Sequence, residues 1–346
     1  MSMNKTTTDT AAHRQPMKII KRSEMANCYT MAEAIDGMSR AFASLSSGEC
    51  EVPHRYIVNT SDDAMTLLSK PVFVTNQDKF CVKILTQKNT YAVPGIPTIL
   101  GVVLLMDAVT GEILAMMDGD FITAIRTGAA SGLATKYLAR EDSRTLAVFG
   151  CGGQGRTQLE AVDAVRDIEK IWVFDPSREH AERFVEDMSR KTKASIEIGQ
   201  DLSVLKEVDI ICTATNAQRP LFYKEHLKKG THINAIGSFR PEMQELDPAI
   251  IHSSRSYFDD MEDCLNESGD YLKAIGNAGH SSEDSSEWLA GEIGACVLGR
   301  IGGRINPDET TIFKSVGTAI QDFVVAEEIY GKSKADGFGT EIRLNE

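Results

Sequence analysis

Apolar residues recur along this chain with two periods, and the change between them organises it. From 31 to 45, Met31, Ile35, Met38, Phe42 and Leu45 fall at alternating steps of four and three, the spacing of one helix face. Thr30 and Glu33 stand in capping-box spacing before this helix, and Gly48 stops it. Between 55 and 117 the rhythm shortens. Arg55–Val58, Met65–Val74, Phe80–Leu85, Ile99–Asp107 and Glu112–Met117 read as strands, the last two joined by Ala108-Val109-Thr110-Gly111. Short connections predict antiparallel pairing, so the first third reads as α+β. A long helix follows, Phe121–Leu138, capped by Asp120. Its Gly128 and Gly132, four apart, admit either close helix packing or contact with a cofactor.

Beyond 145, short apolar runs alternate with helical stretches, the pattern of βαβ units and a mostly parallel sheet. Leu146-Ala147-Val148-Phe149 runs directly into Gly150-Cys151-Gly152-Gly153-Gln154-Gly155. A helical segment and a second apolar run, Ile171–Phe174, lead to Asp175. In such a unit Gly150 permits the tight turn, Gly152 lets backbone approach a pyrophosphate, and Gly155 lets helix and strand pack closely. The helix N-terminus faces the phosphates, and Asp175 is placed to accept from ribose hydroxyls. Further strands are expected at Ser195–Ile198, Asp209–Cys212, His232–Gly237, Arg255–Phe258 and Thr311–Gly317, with a final helix, Thr318–Tyr330, returning to the first unit. Residues 1–16 read as a disordered tail and 263–286 as glycine- and acid-rich linkers. The expected architecture is α/β: a Rossmann dinucleotide-binding domain over 120–318, and an α+β substrate domain over 17–119 and 319–346.

Composition narrows the partners. A net charge of −13 over 346 residues argues against a nucleic acid. No apolar run reaches membrane-spanning length and no signal peptide is visible. Seven scattered cysteines without C-x-x-C predict a reducing, cytoplasmic setting. The histidines lack metal-ligand spacing, with His232 read as structural, and Asp259-Asp260-Met261-Glu262-Asp263 reads as a solvated acidic loop, so no metal is expected.

An acidic protein that handles small anions must gather its positive charge locally. Lys83 shares one strand face with Cys81 and Leu85, in a strand apolar on both faces. It is either an edge-strand lysine that blocks aggregation or a cation held for a substrate carboxylate. Arg126 and Arg55, unremarkable singly, gain meaning as bidentate carboxylate ligands.

With these residues in place the sequence resembles the ornithine cyclodeaminase/μ-crystallin family over about 17–330. The matching segments are Val52-Pro53-His54-Arg55, Val82-Lys83-Ile84, Lys88-Asn89-Thr90, Gly95-Ile96-Pro97-Thr98, the hairpin at Leu104–Gly111, Arg126-Thr127-Gly128-Ala129-Ala130-Ser131, the glycine loop, Ile233-Asn234-Ala235-Ile236-Gly237, Glu267-Ser268-Gly269-Asp270 and Lys314-Ser315-Val316-Gly317. The resemblance implies a homodimer whose first domains pair their sheets. It implies that Arg55, Lys83 and Arg126 hold the α-carboxylate of an amino or imino acid, with Lys83 the candidate catalytic residue. It also implies a cofactor lined by Thr98, Arg126, Thr127, Gly153, Gln154, Asp175, Thr213, Thr215, Asn234, Ala235, Ile236, Gly237 and Val316.

Two departures matter. Phe239 stands where cyclodeaminases and the archaeal alanine dehydrogenases of the family carry Asp, and Leu68-Ser69-Lys70-Pro71 stands where cyclodeaminases carry an acid two before Met-Pro. A free side-chain amine on the substrate therefore finds no acidic partner, and the text is closer to the ketimine reductases. The expectation is an NAD(P)H-dependent reductase of a small imino acid such as Δ1-pyrroline-2-carboxylate, reversible as an amino-acid dehydrogenase. Asp175 favours NAD(H), while Ser177 and Arg178 leave NADP(H) open. The alternatives are a cyclodeaminase that recycles NAD and releases ammonia, and a ligand-binding protein without turnover. The proton donor is unassigned between water and Lys83.

Overall fold

The computed structural model describes residues 15–88, 96–277 and 288–344. The tail expected at 1–16 lies outside them but for its last two residues, as do Asn89, Thr90 and Gly95. The chain opens with β1 (Met17–Ile20), α1 (Arg22–Cys28) and α2 (Met31–Ser47). The Thr30 hydroxyl accepts the Glu33 N–H at 3.3 Å, the Glu33 carboxylate accepts the Thr30 N–H at 2.9 Å, and Gly48 ends α2 in the left-handed region. Next come β2 (Cys50–Glu51), β3 (Tyr56–Asn59), β4 (Met65–Val74), β5 (Lys79–Lys88), β6 (Ile99–Asp107) and β7 (Ile113–Asp118).

Strands β4 to β7 pair antiparallel in chain order, β4 with β5 and β6 with β7 through short turns. The Asp107 carboxylate fixes the β6–β7 turn by accepting the N–H groups of Val109 and Thr110 at 2.9 and 2.7 Å. Pro71 is tolerated inside β4 because β3 pairs with residues 66–69 and β2 with 73–74, which leaves its edge of the ladder open there.

α3 (Gly119–Leu138) follows, and its N-cap is Asp118 rather than Asp120. The Asp118 carboxylate accepts the Phe121 N–H at 2.7 Å, which places Asp120 inside the first turn. The two glycines of α3 serve packing. A Cβ on Gly128 would lie 2.5 Å from the Thr157 carbonyl oxygen, and one on Gly132 would lie 2.7 Å from Ile35 Cδ1.

The second sheet arises from β8 (Thr145–Phe149), α4 (Gly153–Asp163), β9 (Lys170–Phe174), α5 (Arg178–Met188), β10 (Ser195–Ile198) and β11 (Ile210–Thr213). It continues through β12 (Gln218–Phe222), β13 (His232–Ala235), β14 (Gln244–Leu246), α6 (Pro248–His252), β15 (Arg255–Phe258), α7 (Met261–Glu267), α8 (Gly269–Asn277), β16 (Leu289–Glu292), α9 (Ile293–Val297) and β17 (Thr311–Lys314). Its order is β10-β9-β8-β11-β13-β17-β15-β16, with every pair parallel, while β12 and β14 form a small separate ribbon. From β8 the chain runs to one side through β9 and β10 and then crosses back to place β11 on the other, so a topological switch opens at the carboxyl ends of β8 and β11.

α10 (Ala319–Asp336) then returns across the first sheet, and β18 (Thr340–Ile342) pairs antiparallel with β1. Ile320, Phe323 and Val325 of α10 share one core with Phe42, Cys81, Val103 and Ile125. Two expectations change. The stretch read as linkers at 263–286 carries most of α7 and all of α8. Asp259 is buried, not solvated: its carboxylate accepts the Gly317 N–H at 2.7 Å and the Ser315 hydroxyl at 2.6 Å. Charge runs read as solvated faces by default; here Glu262 stays exposed, and only Asp259, next after β15, is turned inward.

Gly128→Ala forces a methyl group into the α3–α4 contact. It should lower stability by about 1–3 kcal/mol, read as a drop of several degrees in thermal midpoint. An unchanged midpoint would mean the two helices have room to part.

Candidate active site

The glycine loop is built as its sequence requires. Gly150 has φ +97°, and a Cβ there would lie 2.4 Å from the Ala214 carbonyl oxygen. A Cβ on Gly155 would lie 1.9 Å from the carbonyl oxygen of Gly150, so no other residue fits where α4 meets β8. Gly152 and Gly153 face open space, and Gly152 caps α4 with no side-chain bond to its first turn. Uncapped N–H groups beside an open glycine surface form a cradle suited to a pyrophosphate. Asp175 directly follows β9, where its carboxylate accepts the N–H groups of Cys151 at 2.8 Å and Ser177 at 2.9 Å. It therefore ties the glycine loop to the next turn. Ser177 caps α5, and Arg178 is exposed and paired with Glu182 at 2.8 Å.

Opposite this loop, the inner face of the first sheet carries positive charge into a cavity of about 290 Å³. Lys83 is 1% exposed and lies between β4 and β6, well away from any sheet edge, which removes the edge-strand reading. Its ammonium reaches Asp322 Oδ2 at 2.7 Å and Thr123 Oγ1 at 3.1 Å. Arg126 donates through Nε to the same carboxylate at 3.2 Å and through Nη1 to Gln321 Oε1 at 2.9 Å. Arg55 pairs with Glu267 at 2.9 Å and donates to the Gly317 carbonyl oxygen at 3.3 Å. Lys70 donates to that same oxygen at 3.0 Å.

The charges shift one another. Burial pulls Lys83 down to about 8 despite the opposing attraction of Asp322. Lys70 is held well below the ordinary lysine range by burial and then by the neighbouring Arg55, Lys83 and Arg126. For Asp322 burial works upward, but Lys83, Arg126 and Lys70 together outweigh it and hold the carboxyl below its usual range.

Thr98, Thr127, Gln154, Thr215, Ile236, Gly237 and Val316 join the three expected cations around this cavity. The Gln154 Oε1 atom is buried there without a hydrogen-bond partner among the described residues. Thr213, Asn234 and Ala235, expected along the cofactor, lie behind the wall of this cavity. The Thr213 hydroxyl donates to Glu245 at 2.7 Å, and the Asn234 amide donates to Thr135 at 3.1 Å while its oxygen meets His232 at 3.2 Å. Ala235 is fully buried in β13. Strand parity explains this: within β13 the side chains alternate between helix layers, and only the chain beyond the strand's end reaches the crevice. His232 is structural, its imidazole pushed down to about 3, first by burial and then by Arg304.

Four buried groups at the site escaped the sequence reading: Lys70, Asp322, Glu245 and Asp259. Glu245 accepts the Thr215 N–H at 2.7 Å and the Gly237 N–H at 2.8 Å, so it shapes the wall from behind. Asp322 left a visible signal, since Gln321-Asp322 interrupts an otherwise apolar run in the final helix. Lys70 left one too, being a lysine on the same face of β4 as Val72 and Val74.

Comparison with known proteins agrees with this geometry. The family model described as "Ornithine cyclodeaminase/mu-crystallin family" matches residues 16–337. A Delta(1)-pyrroline-2-carboxylate reductase of Bacillus cereus is 37% identical over 330 residues, covering 95% of this chain and 100% of the relative. The solved structure of the Thermococcus litoralis Delta(1)-pyrroline-2-carboxylate reductase, in complex with NADH and L-proline, superposes with a TM-score of 0.89 at 37% identity, over 94% of this chain and 100% of that one. An archaeal alanine dehydrogenase dimer with bound NAD gives 0.86 at 30% identity, over 95% and 99%. From its inward-facing cations to its glycine loop, this chain belongs to the ornithine cyclodeaminase/mu-crystallin family.

Proposed function

We propose that this protein is an NAD(H)-dependent reductase that converts a small cyclic imino acid, with Δ1-pyrroline-2-carboxylate as first candidate, to the L-amino acid, and runs reversibly as a dehydrogenase. The observation that carries this reading is the juxtaposition of Lys83 and Arg126, both buried and both on Asp322, with a cavity whose far wall is the carboxyl end of the parallel sheet. The relatives that reduce pyrroline-2-carboxylate support the substrate class.

The roles follow from charge. Two cations sharing one carboxylate keep a surplus positive charge, and a substrate carboxylate neutralises it. Arg55 at the mouth is a third ligand once it turns from Glu267. Gly150 to Gly155 and the first turn of α4 would hold the pyrophosphate, Asp175 the ribose, and Gln154, Thr215, Ile236, Gly237 and Val316 the nicotinamide side. The bound nucleotide supplies hydride chemistry at its nicotinamide ring. The chain's own contribution is to fix the substrate's orientation and keep water out of a buried site. Phe239 lines the cavity where an acid would be needed to receive a second amine, so a cyclodeaminase reading gains no support there.

Organisation follows the same reading, with 120–318 as the nucleotide-binding domain and 17–119 plus 319–346 as the substrate and dimerisation domain. Tyr56, Val58, Leu67, Phe80, Ile84 and Leu100 are exposed on the outer face of the first sheet, an apolar surface suited to burial against a second copy. No helix among the described residues is long and apolar enough to cross a membrane.

NADH oxidation, scanned over pyrroline-2-carboxylate, piperideine-2-carboxylate, iminosuccinate sources and pyruvate plus ammonia, with ornithine as control, tests the activity. Turnover of a cyclic imine is expected; ammonia release from ornithine without net nicotinamide change would replace it with a cyclodeaminase. Lys83→Ala should lower kcat/KM by about 100-fold or more while NADH still binds; unchanged turnover removes Lys83 from the site.

The Lys83 ammonium is lost as pH rises through about 8, so KM for the carboxylate substrate should climb above that value. Lys83→Arg, always charged, should flatten that limb if it retains activity; a limb unmoved by the change assigns it to another group. Asp175→Ala should shift the NADH-to-NADPH affinity ratio toward NADPH by about tenfold. An unshifted ratio would confine Asp175 to its loop-tying bonds.

A further inference from the structure

Lys70 is the one cavity lysine to which the reading above gives no role. It lies on β4 directly across the ladder from Lys83 on β5, so both side chains enter the cavity side by side. Burying two lysines as cross-strand neighbours is unfavourable unless something at the site uses the second. The two are held differently. Lys83, Arg126 and Arg55 each have a carboxylate, whereas Lys70 forms no ion pair among the described residues. Its only hydrogen bond there is to the Gly317 carbonyl oxygen. An ammonium has three N–H donors, so two are left for the cavity.

A charge count then separates the roles. Arg55 is balanced by Glu267. Lys83 and Arg126 together with Asp322 leave one positive charge, and the substrate carboxylate cancels it. A permanently charged Lys70 would be left uncompensated in a buried site. A Lys70 that gives up its proton during turnover would not. The reaction needs such a proton, because an imine nitrogen gains one as C2 is reduced.

We propose that Lys70 is a catalytic residue of this reductase, the acid that protonates the substrate nitrogen, while Lys83 stays charged and orients the carboxylate. The inference rests on the imino-acid reductase reading. As the C=N bond is reduced at carbon by the hydride, its π electron pair passes to nitrogen and takes a proton from the Lys70 ammonium. The Lys70 amine then regains a proton from water. In the reverse direction the neutral amine accepts the proton of the substrate nitrogen. Its environment suits both directions: burial and the cations Arg55, Lys83 and Arg126 press the ammonium to release its proton, with Asp322 and Glu267 the opposing charges. The turn that receives Lys70 is itself fixed, since Asp259 accepts the Gly317 N–H.

Two measurements on the full chain test this. The first is steady-state reduction of Δ1-pyrroline-2-carboxylate by wild type, Lys70→Met and Lys70→Arg from about pH 6 to about pH 9, with NADH binding as the check on folding. Lys70→Met should lower kcat by about 100-fold or more with KM changed less than about threefold, and Lys70→Arg should not restore it, because guanidinium holds its proton. The second is calorimetry of pyrrole-2-carboxylate binding to NAD⁺-loaded protein near pH 7 in buffers of differing ionisation heat. Wild type should take up about one proton as the carboxylate arrives, and Lys70→Met should not.

Kinetics in which Lys70→Met raises KM and Lys70→Arg restores it would make Lys70 a carboxylate ligand and overturn the proposal. Unchanged kcat, or equal proton uptake in both proteins, would overturn it as well. If NADH binding is lost in Lys70→Met, Lys70→Gln takes its place under the same criteria. Absence of cyclic-imine reduction in wild type would instead defeat the functional reading itself.

Discussion

A single buried carboxylate, Asp322, makes the rest of this structure workable. Lys83 and Arg126, with Lys70 beside them, point inward within its influence, and burying the first two without a counter-charge would cost several kcal/mol each. Asp322 takes direct bonds from two of them, at 2.7 and 3.2 Å. The carboxylate comes from the final long helix, so the cavity is complete only when the chain's last part returns to its first. Removing such a partner strands its cations, a loss of about 3–5 kcal/mol in comparable buried pairs.

The same economy appears on the other wall. Glu245 holds Thr215 and Gly237, and Asp259 holds Ser315 to Gly317, each by accepting N–H or O–H groups from the segment that faces the cavity. The loops at the strand ends are therefore held from behind by fully buried acids. Loops fixed in this way can present atoms to a ligand without being ordered at the moment of binding. An acidic protein thereby keeps an anion site: its interior carboxylates build the frame, and its cations are left facing inward.

Much of this was legible in the sequence, for reasons that differ by element. The parallel sheet could be read because each strand is an apolar run bounded by turn residues, and the glycine loop because its steric demands admit only glycine at 150 and 155. Lys83 could be read because a charge on an apolar strand face has few explanations. Lys70 has the same signature on β4, on the face of Val72 and Val74. Asp322 and Glu245 were hidden because a lone acid in an apolar stretch does not announce its partner, and those partners lie far away in sequence. Asn234 is the opposite case. Its motif is real, yet in β13 the side chain points to Thr135 and His232, and the cavity is lined two residues later. Asp118 displaced Asp120 as a helix cap because two acids in one turn cannot be ranked without the backbone bond each accepts.

The central claim is a place: a substrate carboxylate bound where Lys83 and Arg126 converge, facing the nicotinamide across the cavity. A crystal structure of the protein with NADH and L-proline tests it most directly. The account predicts carboxylate oxygens within about 3 Å of the Lys83 ammonium and the Arg126 guanidinium, with the ring's Cα toward the nicotinamide. Proline bound elsewhere, with both cations still turned wholly to Asp322, would contradict it.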